Sequence, residues 1–182
     1  MFSVHTYLLK PNRAIGLELN IDHVNKDIIL EKVDHSFVDI RNENEVKHYF
    51  ETYTKFFREA IVIKNRDTVI FNYTYYDLNL WISFCTLIEN FLFNNEKATE
   101  ETVHFQANIS LESKGIDKVL FTVTKKNKVQ VEMELPRQEF LLSLVNGGLD
   151  YYTTMGRYGH RDESVIRMHT RFSKLVQQLE KC

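Results

Sequence analysis

The chain has 182 residues, 43% apolar and 26% charged, with a net charge of −2, six Gly and two Pro. That length suits one domain able to bury roughly 70% of its unfolded surface, and the composition disfavours disorder. The near-neutral balance excludes a globally basic nucleic-acid binder, and two cysteines, Cys85 in an apolar run and Cys182 at the end, argue for a reducing compartment over a disulfide framework.

The first forty residues read as strands. SVHTYLLK stops at the turn signal Pro11-Asn12, AIGLELNI alternates through Ile15, Leu17, Leu19 and Ile21, and DIILEKV and SFVDI continue an antiparallel meander. Asn42 and Glu45 form a capping box ahead of a helical stripe of Val46, Tyr49, Phe50, Tyr53, Phe56, Phe57 and Ala60. Two strands, AIVIK and TVIFNYTYY, follow around NRD. Asp77 is then the expected N-cap of LNLWISFCTLIENFLFN, a helix apolar nearly all round, which must be covered on two sides.

VHFQANISLE alternates over its whole length, with Val103, Phe105, Ala107, Ile109 and Leu111 on one face. KVLFTVTKK and VQVEMEL continue it, the second sending Val129, Val131, Met133 and Leu135 inward and Gln130, Glu132 and Glu134 outward. One dry face and one wet face are the signature of an antiparallel sheet covered on a single side. Pro136 opens a helix that breaks or bends at Gly147-Gly148, and Asp162 or Ser164 caps a last amphipathic helix within 157–181. The expected fold is α+β: mostly antiparallel meanders, helices packed on one face, and a C-terminal helical pair. Residues 1–182 form a single domain, 157–181 being part of it or an extension.

Chemistry is sought and mostly not found. Neither GxGxxG nor GxxxxGK[ST] occurs, nor GxSxG, HExxH or CxxC, so no cofactor or metal site is expected. The seven histidines are scattered, and His160 and His169 lie nine residues apart. The run LNLWISFCTLIENFLF is too short and polar to span a bilayer, and MFSVHTYLLKPNRA lacks a signal-peptide pattern, so a cytoplasmic location is expected, without membrane contact.

Three features suit partner binding. Tyr73, Tyr75, Tyr76 and Trp81 would make an aromatic hot spot. Glu132 and Glu134 project from the wet sheet face. From Gly156 onward six Lys/Arg face three Asp/Glu, a local +3 against −5 for the other 155 residues; Arg157, Arg161, Arg167, Arg171 and Lys174 could grip an anionic protein or nucleic acid.

The order from LWISFCTLIENFL through VHFQANISLE and two further strands to ELPRQEFLLSLV resembles, over residues 60–146, the small α+β immunity proteins encoded beside bacterial contact-delivered toxins. The resemblance is architectural and carries over no functional residue. It implies a non-enzymatic inhibitor that docks on and neutralises one cognate protein. Two alternatives stand beside it. One is a phage or mobile-element inhibitor of a host defence nuclease, using an acidic surface or the basic C-terminal helix. The other is a small nuclease working through His160 and His169.

Overall fold

The computed structural model describes residues 1–10, 36–52, 57–103, 106–158 and 160–181. The strands expected at 14–21 and 27–33 lie outside these residues, as do Tyr53, Phe56 and Phe105.

The first sheet contains β1 (Phe2–Leu9), β2 (Phe37–Asp39), β3 (Arg58–Asn65) and β4 (Thr68–Phe71) in the order β2-β1-β3-β4. A two-residue β5 (Asp77–Leu78) also pairs with β3, and every pairing is antiparallel. Period-2 alternation sends Phe2, Leu8, Ile61 and Ile63 to the main core. Leu9, Phe37, Ala60 and Val62 go to a second cluster with Tyr73. With both faces buried, β3 loses the polar alternation of a half-wet strand. Helix α1 (Glu43–Thr52) lies between β2 and β3 and opens on half of the expected box: Glu45 N donates to Asn42 Oδ1 at 3.4 Å, while the Glu45 carboxylate accepts from Asn42 Nδ2 at 2.9 Å and Asn42 N goes to Asp39 O. It ends before Phe57 and Ala60, which the helical spacing had included; Ala60 is a sheet residue.

Helix α2 (Leu80–Asn94) is capped differently from expectation. Asp77 does not cap it; it pairs opposite Glu59 and accepts from its neighbour Leu78 N. Asn79 occupies the N-cap position at φ 59° with no side-chain cap bond. The donor Trp81 N instead reaches Glu59 Oε2, at 2.9 Å, across from β3. A buried carboxylate thus performs the task that a local cap usually does.

The second sheet has the order β6-β7-β8-β9: β6 (Lys97–Glu101), β7 (Ala107–Ser113), β8 (Lys118–Lys125) and β9 (Lys128–Pro136). Strand β6 was not expected. Its sequence, KATEE, has little β propensity and lies at the sheet edge, where pairing to β7 alone defines it. The hairpin β6–β7 turns inside the stretch that looked like one strand: Thr102 N donates to Ala107 O at 2.9 Å and Ala107 N to Thr102 Oγ1 at 3.2 Å. Val103, expected inward, is therefore 66% exposed. A register shift between Val123 and Thr124 likewise turns Val129 outward, 57% exposed, while Val131 remains buried.

Helix α3 (Arg137–Arg157) runs unbroken through Gly147-Gly148. The expected break is absent because these glycines serve close packing. A Cβ on Gly147 would lie 2.6 Å from Val4 Cγ1, and one on Gly148 would lie 2.3 Å from the Phe172 ring. Helix α4 (Glu163–Leu179) is capped by Asp162, which accepts from Val165 N at 2.9 Å.

Among the described residues one hydrophobic cluster joins both sheets and the four α-helices. The apolar α2 touches β3, β6, β7, α3 and α4, the covering its composition required. Trp81, fully buried, stands at the junction: its Nε1 donates to Thr6 Oγ1 at 3.0 Å and its ring meets Phe172 edge-on. The architecture is α+β with two antiparallel sheets and a C-terminal helical pair, and no helix among the described residues is long and apolar enough to cross a membrane.

Candidate functional site

Helices α3 and α4 meet at a tight corner. Tyr158 N donates to Thr154 O and His160 N to Met155 O, closing the end of α3. Arg161 Nε donates to Gly156 O at 2.9 Å, so a cation sits against the negative end of the helix dipole. Arg157, the last residue of α3, donates through Nη1 to Glu43 Oε1 of α1 at 2.9 Å.

Beside this corner lies an open groove of about 470 Å³. Arg157 and Arg161 line one side, and His169 of α4 the other. Between them sits Ile166, 58% exposed, an aliphatic residue just off the buried stripe of Val165, Met168 and Phe172. None of the nine lining residues is a carboxylic acid. The chemistry is that of a cationic rim around a small apolar floor.

A second hollow, about 340 Å³, adjoins the first and shares Thr153 and Arg157 with it. Its floor is α3 at Gly147, Asp150 and Thr154; its wall is His5 of β1 and Ile40, Arg41 and Glu43 of the β2–α1 corner. Arg41 Nε donates to both Asp39 carboxylate oxygens, at 2.9 and 3.1 Å. Arg41 Nη1 lies 3.3 Å from His5 Nε2. A guanidinium can only donate, so Nε2 accepts and His5 is neutral with its proton on Nδ1. Burial, and then the charge of Arg41, lower the His5 pKa. Burial pushes the Asp39 carboxyl up, but its bonds with Arg41 outweigh this and hold it below the usual range. Burial alone raises Asp150.

The residues expected to bind a partner divide sharply. Arg157 and Arg161 come together in the first groove, with Ile166 and His169. Arg167 and Lys174 are exposed on α4 outside it. Arg171 turns inward: its Nε donates to Glu89 Oε1 at 3.0 Å and its Nη2 to Thr86 Oγ1 at 3.3 Å, which clamps α4 to α2. The expected arginine stripe is therefore split, because Arg171 faces the polar strip of α2. Glu132 and Glu134 project from β9 to solvent, Glu134 paired with Lys118.

The aromatic hot spot is corrected most. Trp81, Tyr73 and Tyr75 are buried and offer nothing to a partner; Tyr76 is half-buried. Tyr75 stacks on Phe71 in the main core, while Tyr73 packs against Tyr7 and Phe37 beneath the first sheet. The 3-10 turn at Tyr73–Tyr75, opened by Asn72 Oδ1 accepting from Thr74 N, folds the segment inward. His169 lines the first groove and His160 does not. His160 packs on the rings of Phe50 and Phe57, at 4.6 and 5.0 Å, where burial lowers its pKa.

Other residues were missed. Glu59 and Tyr151 form a buried pair, Tyr151 OH donating to Glu59 Oε1 at 2.8 Å, but nothing in a one-dimensional reading joins positions 92 apart. His5, Arg41 and Asp150 are equally remote in sequence. Ile166 did leave a signal: it is an apolar residue outside the inward-facing set of its own helix. Compared with known proteins, the chain matches no family model, no curated protein and no solved structure.

Proposed function

We propose that this protein is a non-enzymatic inhibitor that docks on and neutralises one cognate protein, as immunity proteins do, and that it grips an acidic segment of that partner in the α3–α4 groove. The observation that carries this reading is the convergence of Arg157, Arg161 and His169 around exposed Ile166, with no carboxylate in the lining. Guanidinium groups bind carboxylates bidentately, and the aliphatic floor suits an apolar side chain of the same segment. Arg161 is pre-set by its bond to Gly156 O, which lowers the ordering cost of binding. The groove is built on two helices packed against each other and the core, which supports recognition by a preformed surface. Cys85 is buried away from the groove, and burial pushes its thiol up to about 12, so it offers no thiolate there.

The test is fluorescence anisotropy with three labelled probes: a peptide of Asp/Glu around a central Leu, its Lys/Arg counterpart, and a single-stranded oligonucleotide. The acidic peptide should bind, and the pair Arg157→Glu with Arg161→Glu should weaken it by about a hundredfold or more, two lost charge contacts at roughly 1.4 kcal/mol each. Selective binding of the oligonucleotide would replace the protein partner with a nucleic acid. Unchanged peptide affinity in the double variant would remove this groove from the interface.

A further inference from the structure

Helices α3 and α4 run antiparallel. Gln138 Nε2 donates to Leu179 O at one end, Gly148 meets Phe172 midway, and the tight corner closes the other end. The groove of about 470 Å³ follows the seam of this pair. From α3 it takes Tyr152, Thr153, Gly156 and Arg157, at i, i+1, i+4 and i+5; from α4 it takes the same spacing over Val165 to Thr170. Each strip is about 8 Å long, a turn and a half, and two such strips make a seat for a third helix.

The lining offers little to an extended chain. The carbonyls that end α3 are taken: Thr154 O by Tyr158 N, Met155 O by His160 N and Gly156 O by Arg161 Nε. At the start of α4, Val165 N and Ile166 N both go to Asp162. The threonine hydroxyls turn back on their own helices, Thr153 to Leu149 O at 2.8 Å and Thr170 to Ile166 O at 2.9 Å. A strand laid here would give up water at its backbone N–H and C=O groups and find few partners in exchange. A helix satisfies those groups itself. The remaining side chains offer charge and apolar surface: Arg157, Arg161 and His169 around exposed Ile166. Arg157 can meet a ligand while it holds Glu43, because that bond uses Nη1, and its Nε and Nη2 donate to nothing among the described residues. The pair is exposed on both sides, 57% and 70%, so exchanging Glu43 for another carboxylate costs little.

We propose that the segment held here is an acidic amphipathic α-helix, lying along the α3–α4 seam as a third helix. Its carboxylates stand at i and i+7, and a Leu-sized side chain at i+3 covers Ile166. This rests on the reading of the groove as an acid-binding site and adds the form of the ligand. The charge of the lining selects an acidic partner, and the committed backbone selects a helical one.

The experiment is fluorescence anisotropy at pH 7 and low salt with labelled peptides of about sixteen residues, long enough for a measurable helix. The first sets Glu, Leu and Glu at i, i+3 and i+7 on an alanine–glutamine scaffold. The second is the same chain with two outward alanines as D-alanine, which breaks the helix and leaves charge and Leu in place. The third carries Lys for both Glu. Circular dichroism fixes the helical fraction of each free peptide. With fractions of about 50% and about 5%, the first should bind about tenfold more tightly than the second, the ratio of their binding-competent populations. The Lys peptide should not bind. Gly156 lines the groove and a Cβ on it meets nothing within 4 Å, so Gly156→Leu puts an alkyl group in the helix's seat. That variant should weaken the first peptide by about tenfold or more. Equal or tighter binding of the broken acidic peptide overturns the helix and leaves the acid-binding reading standing; binding of neither acidic peptide overturns both. Undiminished binding by Gly156→Leu, shown to be folded by its thermal melt, moves the helix off this seam and overturns the proposal. Should that variant fail to fold, the peptide comparison on the wild-type protein decides alone. Self-association in sedimentation that Arg161→Glu abolishes would seat a second copy in the groove and overturn the proposal as well.

Discussion

Raising the pH from 5 to 8 is expected to weaken the fold through a single side chain, Glu59. This carboxyl is 3% exposed. Burial lifts its pKa from an ordinary 4.5 to about 7; the Trp81 N–H and the Tyr151 O–H pull it down, and the charge of Asp77 pushes it up again. The folded pKa exceeds the unfolded one, so the folded state binds the proton more tightly. Its contribution is whole below pH 4.5 and is lost as pH climbs through 7. The shift corresponds to about 3 kcal/mol in full, of which about 2.5 kcal/mol falls between pH 5 and 8. Glu59→Gln removes the titration at the cost of one mismatched donor, an offset that does not vary with pH. Urea unfolding followed by the fluorescence of Trp81, the sole tryptophan, reads both proteins at each pH. The variant should gain on the wild type by about 2.5 kcal/mol between pH 5 and 8. A difference that stays flat across that range would refute the reasoning, since it would mean that Glu59 ionises in the core without penalty.

Three further outcomes follow from packing. Gly148→Ala should destabilise by about 1–3 kcal/mol through its collision with Phe172, whereas Gly156→Ala, whose Cβ meets nothing within 4 Å, should stabilise by about 0.5–1 kcal/mol; thermal melts compare them. Arg171→Lys should cost about 1 kcal/mol or more by replacing a bidentate grip on Glu89 with a single contact, and hydrogen exchange should rise along α4. Val129→Thr should be neutral within about 0.5 kcal/mol while Val131→Thr costs about 1–2 kcal/mol; equal effects in chemical denaturation would contradict the bulge that separates them.

Much of this architecture is legible in the residues, and the misses share a cause. The Asn42–Glu45 box, the Asp162 cap and the Pro136 start depend on neighbours within a turn, and a local code states them plainly. The two-sided burial of α2 is equally visible, because its composition leaves no wet face. What escaped depends on contacts far apart in the chain. Gly147-Gly148 looks like a breaker until Val4 and Phe172 are seen against it. Asp77 looks like a cap until Glu59 arrives from another strand. The alternation of VHFQANISLE hides a turn, since Thr102 supplies a hydroxyl from outside the pattern. The candidate groove was half visible: Arg157 and Arg161 stood out as charges, but the inward swing of Arg171 and the outward position of Ile166 are decided by where α4 lands.

Because the first turn of α2 is secured by Glu59 of β3, and Glu59 in turn is held by Tyr151 of α3, the middle of the polypeptide has no self-sufficient starting point. A ribosome emitting this chain would expose an oily segment well before the residue that completes its anchoring emerges. Assembly must therefore wait until some seventy further amino acids have been added after Trp81, and excised fragments of the centre should stay unstructured or clump.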